Sequence, residues 1–130
     1  MKLSSRAIYG IRVCSLISVG EKVPMPLSLI AEKSNLSEKY LEQILASLVK
    51  GGVLLSTRGM SGGYELARKS SEISLYDILK AVNDEFETGC GEGCDKVCPD
   101  KSTFLQIKEN IDQIFKMNSL ESITLKREDI

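Results

Sequence analysis

Residues 37–68 read SEKYLEQILASLVKGGVLLSTRGMSGGYELAR, and this stretch decides the fold. Ser37 suits a helix N-cap, and Leu41, Ile44, Leu45, Leu48 and Val49 follow at helical spacing until the Gly51 and Gly52 pair stops the run. From Gly52 onward, GVLLSTRGMSGGYELAR is a short β-rich run, a glycine-rich tip and a second run, which is a hairpin pattern with glycine where positive φ is needed. A hairpin placed directly after a helix in this way predicts a wing.

Upstream, Leu27, Leu29, Ile30 and Ala31 start a short helix that Asn35 can end, so Asn35 and Leu36 form the tight connection of a helix-turn-helix. The preceding GEKVPMP reads as a loop, and Leu3, Ala7, Ile8, Ile11, Val13, Cys14, Leu16 and Ile17 mark a first helix capped by Ser4. Downstream, Ser74 can cap a helix carrying Leu75, Ile78, Leu79, Ala81 and Val82 that gives out near Asn83. From Ser102 to about Asn118, Phe104, Leu105, Ile107, Ile111, Ile114, Phe115 and Met117 mark a long amphipathic helix. Nothing further downstream is large enough to cover its stripe, so it is expected to pack on the first helix and on a second copy of the chain, giving a homodimer.

The predicted architecture is mainly α with a small β-hairpin wing, a winged helix-turn-helix followed by a long C-terminal dimerisation helix. Three segments are expected: a DNA-binding domain over 1–83, a cysteine loop over 84–101, and a dimerisation helix with the C-terminal segment over 102–130. No apolar run approaches the roughly 20 residues needed to span a bilayer, and the opening MKLSSRAIYG lacks the pattern of a secretory signal. A soluble cytoplasmic chain with no membrane partner is expected. The net charge of −1 conceals an asymmetry: residues 1–75 carry ten Lys and Arg against six Glu, a net +4, leaving −5 for the remainder. A basic part joined to an acidic part is compatible with a phosphate-binding half and a regulatory half.

In a helix-turn-helix the second helix enters the major groove, and its first turn meets base edges. Ser37, Lys39, Tyr40, Glu42 and Gln43 are therefore the candidate contacts to double-stranded DNA. Lys39 can neutralise phosphate, Ser37 and Tyr40 can donate to phosphate or bases, and Gln43 has the paired donor and acceptor that suit adenine. Glu42 repels phosphate but can accept from cytosine N4. Arg58, beside Gly59 at the edge of the wing, is placed to enter a minor groove, where narrow A·T-rich stretches concentrate negative potential.

Three of the four cysteines, Cys90, Cys94 and Cys98, crowd into nine residues, and Cys14 stands alone. An odd, tight thiol cluster in a reducing compartment points to metal or redox chemistry rather than a disulfide framework. On a continuous helix the outer pair would be about 12 Å apart. Gly89, Gly91, Gly93 and Pro99 instead favour a loop that can curl so the sulfurs converge. Soft thiolates select iron-sulfur clusters or zinc over magnesium or calcium. Three thiolates leave a fourth position open to Cys14, to Glu87, Glu92 or Asp95, to a hydroxyl, or to an external thiol. Cys14, among apolar positions of the first helix, reads more readily as packing than as a ligand.

MKLSSRAIYGIR, the YLEQIL run, RGMSGGYELAR, the three cysteines and the closing SITL together resemble the IscR and NsrR type regulators of the Rrf2 family over nearly the whole chain. The resemblance implies a homodimer formed through the long helix, a winged helix-turn-helix on each subunit, and repression or activation of promoters with palindromic sites. By position it makes Tyr40, Glu42 and Gln43 recognition residues and Arg58 the minor-groove residue. It implies an iron-sulfur cluster on Cys90, Cys94 and Cys98, two-iron two-sulfur in the first instance and four-iron four-sulfur as the alternative. Some members complete the ligand set with a histidine, and this chain has none; others use an acidic residue near the start of the partner subunit, where this chain has Ile8. The expected function is a sensor of cluster, redox or nitric oxide status that controls iron-sulfur biogenesis genes. A zinc or thiol-redox regulator of the same fold is the alternative. With no histidine, no phosphate loop and no nucleophile and base pair, an enzyme is not expected.

Overall fold

The computed structural model describes residues 3–82 and 101–128. The elements run α1 (Ser5–Val19), α2 (Leu27–Ser34), α3 (Glu38–Lys50), β1 (Leu54–Thr57), β2 (Gly63–Leu66), a 3-10 turn (Ser70–Glu72), α4 (Leu75–Ala81), α5 (Lys101–Met117) and α6 (Leu120–Glu128). The three caps expected, Ser4, Ser37 and Ser74, each start a helix. The Ala7 amide donates to the Ser4 hydroxyl at 3.1 Å, and the Tyr40 amide donates to the Ser37 hydroxyl at 3.3 Å. These bonds satisfy amides that the first helical turn leaves without partners. Ser74 caps α4 and is answered by Asp77, whose carboxylate accepts from the Ser74 amide at 3.0 Å, a reciprocal capping box.

Asn35 closes α2 in the left-handed conformation with φ 59°, tolerable for its short polar side chain, and the turn places α3 across α2. The buried cluster is built from Ala7, Val13, Cys14 and Ile17 of α1, Ile30 of α2, Leu41, Ile44, Leu45 and Leu48 of α3, and Ile78 and Leu79 of α4. The wing pairs antiparallel, with Leu54 opposite Leu66 and Thr57 opposite Gly63.

Two features depart from expectation. The segment before α2 is more than a loop, because Met25 pairs with Tyr64: each amide donates to the other's carbonyl at 2.9 Å, extending the two-stranded wing. Gly63 permits this approach. Its φ is +155°, and a Cβ there would collide with the Met25 carbonyl.

The second departure is α6. The long helix is expected on the first helix, yet it is α6 that packs on α1 and the 3-10 turn, with Leu120 and Thr124 buried. The long helix α5 lies instead on α4, so α6 rather than α5 supplies the main C-terminal cover of α1. The reason is a pair of backbone bonds between distant stretches of chain. Leu75 donates its amide to the Asn118 carbonyl at 2.9 Å and Leu120 to the Ile73 carbonyl at 2.8 Å, which latches the α5–α6 junction to the start of α4. A helix of this length is marginal alone, so α6 depends on that packing.

Gly63→Ala is expected to lower stability by about 2 kcal/mol or more, through the clash with Met25 and the positive φ. Chemical denaturation checks this, and an unchanged midpoint would show that the Met25 strand does not constrain the wing.

Candidate nucleic-acid interface

The periodicity of α3 sorts its residues into two faces. Leu41, Ile44, Leu45 and Leu48 are buried, and Lys39, Glu42 and Gln43 are exposed on the opposite side. Ser37 is exposed at the start of the helix, where its oxygen serves the cap while its O–H is left to donate outward. Tyr40 is different: it is half-buried, and its ring meets the Tyr9 ring of α1 edge-on, with centroids 5.9 Å apart and planes at 88°. Such edge-to-face packing fixes a ring and leaves the phenol at the margin of the core.

The wing brings Arg58 and Gly59 to the same rim. A cleft of about 520 Å³ is lined by Pro26 to Ser28 at the start of α2, by Glu38, and by wing residues including Arg58, Gly59 and Met60. Pro26 provides no side-chain cap, so α2 opens onto the cleft with uncapped amides at its positive end. Arg58 and Gly59 are both exposed, Gly59 has φ +110°, and no atom lies near where its Cβ would be. The cleft thus combines a guanidinium, a helix start and a glycine tip, which are groups that hold phosphate oxygens. Glu38 is the one carboxylate among the lining residues.

Residues of α1 that the motif reading did not include also border α3. The Arg12 guanidinium carbon lies 5.3 Å from the centroid of the Tyr9 ring. The Arg6 guanidinium donates to the Ser47 hydroxyl, which donates at 3.1 Å to the Gln43 carbonyl, so α1 braces the helix that carries Gln43. Arg6 Nε is buried without a partner among the described residues. The only sequence signal was the spacing of Arg6, Tyr9 and Arg12, three residues apart on one helical face.

Cys90, Cys94 and Cys98, with the alternative ligands Glu87, Glu92 and Asp95, lie outside the described residues. Among the described residues no group of three histidine, cysteine or carboxylate side chains is placed to hold a metal ion. Cys14 is fully buried in the α1 core, and burial pushes its thiol up from the ordinary 9.0 to about 12. The packing role is the one the structure assigns it. A thiolate ligand there would require the core to open.

A helix pair joined by a left-handed asparagine, an outward polar face on the second helix and an antiparallel wing define a winged helix-turn-helix protein. Residues 3–127 match the Rrf2 family, described as an iron-dependent transcriptional regulator, and the chain belongs to that family. The family and the curated relatives it matches are described as transcription regulators rather than enzymes.

The chain is 37% identical over 94 residues to the protein rrf2 of Nitratidesulfovibrio vulgaris, covering 71% of this chain and 63% of that protein, so it spans less than two thirds of that relative's length. IscR of T. potens is similar over 99% of this chain and 90% of that one, with 31% identity and a TM-score of 0.71. CymR, the global cysteine regulator of B. subtilis, is similar over 97% of this chain and 98% of that one, with 27% identity and a TM-score of 0.75. Among the described residues no helix is long and apolar enough to cross a membrane.

The raised thiol pKa has a stability consequence. The native state holds the Cys14 proton more tightly than the unfolded chain, so the contribution is complete below pH 9.0 and is lost as pH rises toward about 12. Native Cys14 is expected to resist iodoacetamide near neutral pH and to react once the chain is denatured. Peptide mapping by mass spectrometry reads this directly, and native labelling at the rate of a free thiol would contradict it.

Proposed function

We propose that the chain is a homodimeric, DNA-binding transcription regulator in the cytoplasm. It reads a palindromic operator and senses iron-sulfur cluster, redox or nitric oxide status, and its targets are iron-sulfur biogenesis genes. The observation that carries the DNA reading is that Lys39, Glu42 and Gln43 face outward from α3 while Arg58 and Gly59 border the cleft that begins beside Glu38. In this reading Lys39 holds phosphate, Ser37 and Tyr40 donate to phosphate or bases, Glu42 and Gln43 meet base edges, and Arg58 enters the minor groove.

Dimerisation is supported by α5, where Ile107, Ile114 and Met117 are 42%, 59% and 81% exposed and fall on one face of the helix. An apolar patch of this kind on a folded chain marks an interaction surface, and the second copy is the partner proposed for it. The division into a DNA-binding part over 1–83, a cysteine loop over 84–101 and a dimerisation part over 102–130 belongs to the same reading.

Cys90, Cys94 and Cys98 are the proposed ligands of the cluster. The donor chemistry fits: three soft thiolates within nine residues, with the burial of Cys14 leaving the fourth position to a carboxylate, a hydroxyl or an external thiol. Bound there, a cluster would supply a group whose oxidation state and integrity respond to oxidants. The chain's own residues provide a route from that segment to the reading helix. Helix α4 ends at Ala81, before that segment in the chain, and packs against the end of α3, where a Cβ added to Gly51 would lie 2.5 Å from the Ala81 Cβ. The same helix meets α1, where a Cβ added to Gly10 would lie 3.2 Å from Val82. The likeness to CymR favours a second reading, a thiol or zinc regulator of this fold.

Arg58→Ala is expected to weaken binding to a duplex selected from a random library by about tenfold, and to flatten the salt dependence by about one unit per subunit. Fluorescence anisotropy at several salt concentrations measures both quantities, and no change in either removes Arg58 from the interface. Anaerobic reconstitution should give visible absorbance with matched iron and sulfide, abolished by Cys94→Ser. Stoichiometric zinc and a colourless protein would instead establish the second reading.

A further inference from the structure

We propose that Arg12 is a second arginine contact to the DNA backbone, supplied by α1 rather than by the recognition helix or the wing. The proposal rests on the DNA-binding reading above and adds a site to it.

The direction of packing places Arg12. Along α1, Arg6 reaches Ser47 in the later half of α3, and Tyr9 meets Tyr40 in its first turn. The two helices therefore run past each other in opposite senses, and each step forward on α1 moves toward the start of α3. Arg12 is one step further, about 4.5 Å along the axis from Tyr9. Its guanidinium is thereby carried toward the end of α3 that enters a groove.

The chemistry suits a phosphate. Arg12 is exposed, and among the described residues no carboxylate lies within ion-pair distance of it. Its guanidinium carbon lies over the Tyr9 ring, 5.3 Å from the centroid, and Tyr9 in turn meets Tyr40 edge-on, which biases the side chain toward this place. A cation–π contact engages the face of the ring and leaves N–H donors of the guanidinium open to an anion. An arginine drawn to one place by a ring contact, with no carboxylate partner among the described residues and beside the reading helix, is poised for a backbone oxygen. A brace between side chains would use those donors within the protein, as Arg6 does at Ser47.

The contact is to phosphate, so it sets register and affinity without reading sequence. For Arg12→Ala the expected result is about tenfold weaker binding to a selected duplex and, in the same proportion, to a mixed-sequence duplex. The slope of log affinity on log salt should flatten by roughly 0.9 per subunit. Arg12→Lys should restore the slope and only part of the affinity, since a point charge replaces a planar fork.

Thermal denaturation of each variant separates the alternatives. Unchanged affinity and slope in Arg12→Ala, while Arg58→Ala loses binding, overturns this proposal and leaves the DNA reading standing. A lowered melting temperature with an unchanged slope makes Arg12 a structural brace and also overturns it. If wild-type protein binds neither duplex, the underlying reading fails together with the proposal.

Discussion

The apolar face of α3 is the constraint on which the rest depends. Leu41, Ile44, Leu45 and Leu48 have no exposure at all, and each such side chain contributes about 1.5 to 3 kcal/mol when taken out of water. Because the net stability of a domain is only about 5 to 15 kcal/mol, these four residues leave the helix little freedom to rotate about its axis. Fixing that rotation fixes which residues face solvent. Lys39, Glu42 and Gln43 are presented together because their neighbours have nowhere else to go.

Three elements then hold α3 from different sides. From α1 come Tyr9 against Tyr40 and the Arg6 to Ser47 bond, from α2 the left-handed turn at Asn35, and from α4 the close meeting of Ala81 with Gly51. The C-terminal part is joined to this unit at one end of α4, where Ile73 and Leu75 exchange backbone bonds with Leu120 and Asn118. Lys116 lies 4.7 Å from the Tyr76 ring centroid and adds a side-chain contact between α4 and α5. Helix α4 is therefore shared: it touches the reading helix, the first helix and the long helix, and it precedes in the chain the segment that carries the three cysteines.

The candidate site was legible in proportion to how local its signals are. Ser37 as a cap, Asn35 as a turn, Gly59 at the tip and the outward position of Gln43 each follow from a few neighbouring residues, and each is found where the sequence placed it. Tyr40 carries the same kind of motif signal, yet its half-burial against Tyr9 depends on a residue 31 positions earlier. Arg12 offered only its three-residue spacing from Tyr9 and Arg6, because an exposed arginine on an amphipathic helix is ordinary until its neighbours in space are known. The Met25 strand was hidden for a related reason: a two-proline segment reads as a loop, and only the approach permitted by Gly63 turns it into a pairing partner.

The sequence by itself determined the order and type of the elements from α1 to α5, the inward and outward faces of α3, and the hairpin, because caps, glycines and apolar periodicity act over one or two helical turns. Tertiary structure alone decided that α6 covers α1, that α5 lies on α4, that Cys14 is closed off in the core, and that Arg12 and Tyr9 stand beside Tyr40. Those outcomes rest on which surfaces meet across long stretches of chain. A short segment such as LESITLKRE has little helical pattern of its own and takes its conformation from the groove that receives Leu120.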